Sequence, residues 1–183
     1  LFVPFLVSWS GRGNLFTLTH TEFAGVKHIS STHLYILGMY MNELIFRLVP
    51  KLSPSEEIFS LYQNIISTLE GSDSQENFLR LFETELLALV GHGLSLNKEI
   101  DHETQIKEDC IYRYDVGLGA AKITHKSTAW NVVKGATLLG LQSPLNMDAA
   151  CLAEAKRLMR GVINWHLESQ PLHSREIMQF MQT

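Results

Sequence analysis

The chain has 183 residues, 45% of them hydrophobic and 19% charged, with a net charge of −4. This is too apolar for a disordered chain and long enough for one main domain with a small appendage. The negative balance argues against a uniformly electropositive nucleic-acid binder.

Leu1 opens an apolar run through Val7 with no basic segment before it, which does not fit a signal peptide, so Leu1 reads as an internal starting point of a longer protein. Phe2 to Trp9 and Leu15 to Phe23 are rich in aromatic and β-branched residues and read as strands. Gly11 and Gly13 between them suit a tight reversal with Arg12 at its tip. An isolated hairpin is marginal in water, so this pair is expected to complete a sheet with strands before Leu1 or to pack on the later part of the chain.

After Gly25 the period becomes helical. Leu34, Leu37, Gly38, Met41, Ile45 and Leu48 share a face, and Pro50 closes the segment. The stretch from His33 to Val49 carries Asn42, Glu43 and Arg47 and is short for a bilayer span. Ser53-Pro54-Ser55-Glu56 reads as a capping box with proline at the first helical position, followed by a stripe of Ile58, Leu61, Tyr62, Ile65 and Leu69. A third helix starts near Asp73 or Ser74 and runs through Phe78, Leu79, Phe82, Leu86 and Leu87 to a stop at Gly91 or Gly93. Short polar connections between the three predict an antiparallel bundle.

The stretch from Leu94 to Asp109 is polar and acidic, and its acidic residues between Glu99 and Asp109 read as a solvated loop, because they lack the spacing and central glycine of a calcium loop that would bind a hard cation. Cys110 to Asp115 and Ala120 to Thr124, with Gly117 and Gly119 between them, predict a small two-stranded insert. Ala136 to Leu141 reads as a short helix or turn. Asn146 or Asp148 caps a long helix whose apolar positions include Cys151, Leu152, Ala155, Leu158, Met159, Val162, Ile163 and His166. Pro171 breaks it, and Ser174 opens a last helix to Met181.

Charge is uneven. From Lys51 to Cys110 four basic residues stand against twelve acidic ones, and from Ile111 onward eight basic against five acidic, so an anionic partner would prefer the C-terminal part. Lys156, Arg157 and Arg160 fall within about 100° of arc on the polar side of the long helix, either a solvated surface or a phosphate-contacting stripe. Arg80, with Glu76 at i−4 and Glu83 at i+3, reads as a surface ion-pair residue. Trp9, Trp130 and Trp165 read as core rather than as base-stacking platforms.

Cys110 and Cys151 are the only thiols, and the eight histidines show no ligand spacing, so neither a disulfide framework nor a metal site is expected, and a reducing cytoplasmic compartment fits. No nucleophile beside a base, no separated carboxylate pair and no phosphate loop stands in the sequence, so no enzyme and no cofactor are expected.

Several segments together resemble one family. Pro4 to Gly13 with Leu15 to Thr19 is similar to the last hairpin of the N-terminal OB-fold barrel of RecO proteins. Tyr40-Met41-Asn42-Glu43-Leu44 resembles the family's Tyr-x-Asn-Glu-Leu signature, and Leu79-Arg80-Leu81-Phe82-Glu83 with Gly91-His92-Gly93 resembles its third-helix motif. Ala155 to Arg160 and Pro171-Leu172-His173-Ser174-Arg175-Glu176 are similar to its C-terminal signature.

The resemblance implies an α+β chain. Residues 1–29 would be the closing hairpin of an OB barrel whose earlier strands are absent, and residues 30–183 a helical domain with a small β insert at about 97–134. It implies a cytoplasmic, nucleoid-associated mediator of DNA repair and recombination, with no membrane association. Such a protein binds single- and double-stranded DNA, anneals complementary strands and, with RecR, helps load RecA onto strands covered by single-strand-binding protein (SSB). Arg80 matches the family position that meets the acidic SSB C-terminal tail. The candidates for DNA contact are Arg12, Lys27, Lys122, Lys156, Arg157, Arg160 and Arg175. Many members bind zinc through four cysteines in the insert; with Cys110 alone there, this chain resembles the zinc-free members. Gln170 and His173 stand where basic residues are usual. The alternative is a helical protein-interaction adaptor with weak or no DNA binding.

Overall fold

The computed structural model describes residues 2–12, 15–25, 29, 31–125 and 127–180. Strands β1 (Phe5–Arg12) and β2 (Leu15–Phe23) pair antiparallel from Phe5 opposite Phe23 to Arg12 opposite Leu15, with an irregularity between Ser8 and Trp9. Every residue of both strands is exposed. Two antiparallel strands are what the described residues show of the expected barrel. Gly13 and Asn14 of the turn lie outside them.

Three helices come next, α1 (Thr32–Leu48), α2 (Glu56–Leu69) and α3 (Gln75–Leu89). Ser31 caps α1 by accepting from the Leu34 amide at 3.3 Å. The start of α2 differs from the expected box: Ser55, not Ser53, is the cap, its hydroxyl accepting from the Ile58 amide at 3.2 Å. Pro54 stands before the cap rather than inside the helix, because proline drives the residue preceding it toward extended backbone. On α3, Asn77, Leu79, Arg80, Phe82, Glu83, Thr84, Leu86 and Leu87 are all buried, an arc much wider than one amphipathic stripe. The reason is position. The third helix packs against α1, α2 and the long helix α5 (Ala149–His166), so polar positions opposite its leucine face are also covered.

The insert has three strands rather than the expected two. In sheet order β4 (Gly119–Ile123), β3 (Ile111–Asp115) and β5 (Val132–Lys134), β3 pairs antiparallel with both neighbours. A three-residue strand is too short to show a period, which is why Val132 to Lys134 carries no signal in the sequence. Tyr112 and Tyr114 of β3 reach the main core. Burial pushes the Tyr114 phenol up to about 12, partly offset by the hydrogen bond it accepts from the Ser95 amide.

The short α4 (Gly135–Gly140) comes directly after β5, and a 3-10 turn at Pro144–Asn146 leads to Asp148, which caps α5 by accepting from the Cys151 amide at 2.8 Å. The last helix, α6 (His173–Phe180), lies against α1. Met181 lies outside the described residues. The tryptophans are not core: Trp9 is 62%, Trp130 38% and Trp165 57% exposed. Among the described residues no helix is long and apolar enough to cross a membrane.

Candidate functional site

Where α1, α3, α5 and α6 meet, a cleft of about 110 Å³ opens to solvent. Arg80, Lys156, Arg160 and Arg175 supply four cations to its lining, against the carboxylates of Glu76 and Glu83, with Leu37, Leu79 and Met178 as apolar wall. Arg80 is not the surface residue that its i−4 and i+3 neighbours suggest. Its side chain is 7% exposed and its Nη2 donates to Glu83 Oε1 at 2.7 Å, while Glu83 is 1% exposed. Glu76 turns the other way and pairs with Lys156 at 2.5 Å.

Tyr40 on α1 and Arg175 on α6 close this pair into a network. The Tyr40 hydroxyl donates to Glu83 Oε1 at 2.5 Å and accepts from Arg175 Nη2 at 3.3 Å. Arg175 also donates to Asn164 Oδ1 at 2.6 Å, and its guanidinium lies 5.5 Å from the centre of the Tyr40 ring. Burial, then the Glu83 charge, push the Tyr40 phenol well above its ordinary range, with Arg175 and Arg80 opposing. Tyr40 therefore stays protonated and donates. Arg80 Nε and Glu83 Oε2 are buried without a hydrogen-bond partner among the described residues. Such a site is fixed before any ligand arrives and retains polar groups that an occupant or water would satisfy.

The Lys156, Arg157, Arg160 stripe is divided. Lys156 is held by Glu76, and Arg157 is half-buried and donates to the Val132 carbonyl at 2.7 Å, on the side facing β5. Arg160 is exposed and makes no ion pair among the described residues. Arg12 is exposed at the end of β1, and Lys122 is exposed on β4 opposite Tyr112, where its neighbour Cys110 raises its pKa. Neither lines the cleft, and Lys27 lies outside the described residues. Composition and spacing do not single out Tyr40 or Asn164, and they offer Glu76 and Glu83 only as surface partners of Arg80. Tyr40 and Glu83 stand inside the motifs that resemble RecO, and that is the signal by which their place in the site could be found.

Cys110 is half-buried and is the one thiol in the insert, and no cluster of three His, Cys, Asp or Glu able to hold a metal occurs among the described residues.

The family model described as "Recombination protein O C terminal" matches residues 30–176. The chain belongs to the RecO family. The DNA repair protein RecO of Methylococcus capsulatus is 40% identical over 177 residues, 96% of this chain and 72% of that protein. That of Nitrosococcus oceani is 37% identical over 178 residues, 97% of this chain and 72% of its own length. RecO from Coxiella burnetii is 35% identical over 180 residues, covering 97% and 76%. The residues that line the cleft, except Met178, fall inside the matched RecO region, which ends at Glu176.

Proposed function

We propose that this chain serves DNA repair and recombination as a mediator that works by binding, without covalent chemistry or a cofactor. It binds single- and double-stranded DNA, anneals complementary strands and, with RecR, assists RecA loading on SSB-coated strands in the cytoplasm. Residues 1–29 then act as the end of an OB-fold barrel, and residues 30–183 as the helical domain carrying the partner site, with its insert at about 97–134. Kinship with DNA repair proteins named RecO supports the repair and recombination role.

The observation that carries the partner site is the cleft, where four cations face two carboxylates beside an apolar wall. That combination suits the acidic, C-terminal tail of SSB: an apolar side chain fills the wall and the terminal carboxylate meets guanidinium groups that are already ordered. Arg80 is fixed at the base of the site and Arg160 stands at its rim. Titrating a labelled SSB tail peptide by fluorescence anisotropy tests this. Arg160→Glu should weaken binding about tenfold or more, and an amidated peptide C-terminus should lose a comparable amount. Equal affinity for all forms would remove the tail from this cleft.

The divided cationic stripe favours a second reading, a protein-binding adaptor with weak DNA affinity. A gel shift of the full-length protein at low and moderate salt separates the two, since an adaptor with weak affinity no longer retards an oligonucleotide at moderate salt.

A further inference from the structure

Two indoles stand open to solvent along one side of α5. The Trp130 ring lies directly on the helix at Gly161: a Cβ there would overlap Trp130 Cε3 and Cδ2. Only glycine admits so close an approach, so the ring is seated against backbone while the residue stays 38% exposed. Trp165 stands one turn further along the same row, 57% exposed. Its ring meets His166 edge-on with centroids 4.9 Å apart, and His166 in turn stacks on His92 at 4.2 Å. Both indoles are therefore propped by neighbours.

Cations flank them. Arg157 stands one turn before Gly161, tied to the Val132 carbonyl by Nη2, with its Nε buried and unpartnered among the described residues. It shares with Lys134 a cleft of about 170 Å³ between β5, the Ser127 and Thr128 segment and α5. Glu154 also lines this cleft, but its Oε2 is occupied by the Lys134 amide at 3.0 Å and the Thr137 hydroxyl at 2.8 Å. An exposed pair of large aromatic rings beside arginine and lysine fits a ligand with flat π-faces and a negative backbone. The Trp130 seat at Gly161 and Trp165 lie one turn apart along the α5 backbone, about 5.4 Å, so one unpaired strand running along this side of the helix passes both.

We propose that Trp130 and Trp165 form a two-base stacking platform for single-stranded DNA, with Arg157 and Lys134 beside it for the backbone. It rests on the DNA-binding role proposed above and names where on the helical domain an unpaired strand lies. Duplex DNA keeps its bases stacked on one another, so the platform acts on single strands alone.

The test uses the full-length protein and a labelled oligo-dT, read by anisotropy, with duplex of equal length and the SSB tail peptide as controls. Trp165→Ala and Trp130→Ala should each weaken oligo-dT binding by about tenfold, Trp165→Tyr and Trp130→Tyr should restore most of it, and the controls should stay unchanged. In a Trp9→Phe background, oligo-dT should also quench the fluorescence of the remaining tryptophans, a signature of stacking that a purely structural role would not give. Parent and alanine variants binding oligo-dT alike, without quenching, would overturn the platform and leave DNA binding standing; the face would then serve a protein partner. A parent that binds no DNA would overturn the role itself, and the platform with it.

Discussion

Glu43 holds the start of α6 through Ser174. Its Oε2 accepts from the Ser174 amide at 2.9 Å and the Ser174 hydroxyl at 2.6 Å, while Oε1 accepts from the His173 amide at 2.9 Å. A carboxylate on the first-turn amides of a helix, which have no partner within it, is favourable both as a hydrogen-bond acceptor and against the positive end of the helix dipole. The same short helix carries Arg175 into the Tyr40 network, so this clasp sets the position of a cleft cation from a helix 130 residues away in the chain.

Partial burial pushes the Glu43 carboxyl upward, but the Ser174 and His173 hydrogen bonds outweigh it and hold the group below its ordinary value. A carboxylate whose pKa is lowered by folding stabilises the fold above its unfolded pKa, and this contribution disappears as pH falls through the folded value. Glu43→Gln should therefore cost roughly 1 kcal/mol at neutral pH, at the low end for charge-assisted bonds because solvent reaches the group. The gap to the parent should be full above the ordinary value of 4.5 and close at lower pH. Urea unfolding from pH 7 down to pH of about 3 checks this, and a gap that is constant with pH would deny the clasp its charge.

Arg80 and Glu83 form a buried pair, and removing one partner strands the other. Arg80→Ala should destabilise the protein by about 3–5 kcal/mol, whereas Arg80→Met with Glu83→Leu should lose less than the single variant. Denaturant midpoints decide it. A single variant as stable as the parent would mean that water reaches Glu83.

The helices are legible in the sequence because Leu34, Leu37 and Met41, or Leu158, Met159 and Val162, repeat at helical spacing and because serines and Asp148 stand at the starts. The site is legible only in fragments. A single helix shows Glu76 and Glu83 as equivalent partners for Arg80. The choice between them is made by Tyr40, which reaches Glu83 from α1 and is itself met by Arg175 from α6, and by Lys156, which takes Glu76 from α5. Likewise, helical phase puts Arg157 in a surface stripe, but the Val132 carbonyl that claims it lies on β5, a strand too short to be seen in advance. The tryptophans depart from expectation for a related reason: apolarity predicts burial on average, and Gly161 and Trp165 show a surface that no pattern of one residue type reveals.

Glu76 lines the cleft and holds Lys156, so it competes with any acidic ligand for that cation. Both side chains are about half exposed, which limits the pair to a fraction of a kcal/mol and makes it easy to exchange. Glu76→Gln should tighten SSB tail binding about two- to fivefold, with most of the gain lost at high salt. Anisotropy titrations at two ionic strengths measure it. Weaker binding in the variant would show Glu76 to be a ligand contact instead of a competitor.

The three cations of α5 should differ in how they read DNA. Each phosphate contact on a single strand releases counterions and adds about −0.7 to the slope of log affinity against log salt. Arg160 is exposed and without an ion pair among the described residues, so Arg160→Ala should make the slope shallower by about 0.7. Lys156 must first leave Glu76, so Lys156→Ala should change the slope by less, and the full effect should appear only when Glu76 is also replaced by Gln. Arg157→Ala removes the bond to the Val132 carbonyl, and its effect should divide between stability and binding. Oligonucleotide titrations at several salt concentrations, beside thermal unfolding of each variant, separate these contributions. If all three variants keep the parent's slope, the phosphates do not lie along α5, and the hairpin residues with Arg12 become the place to look.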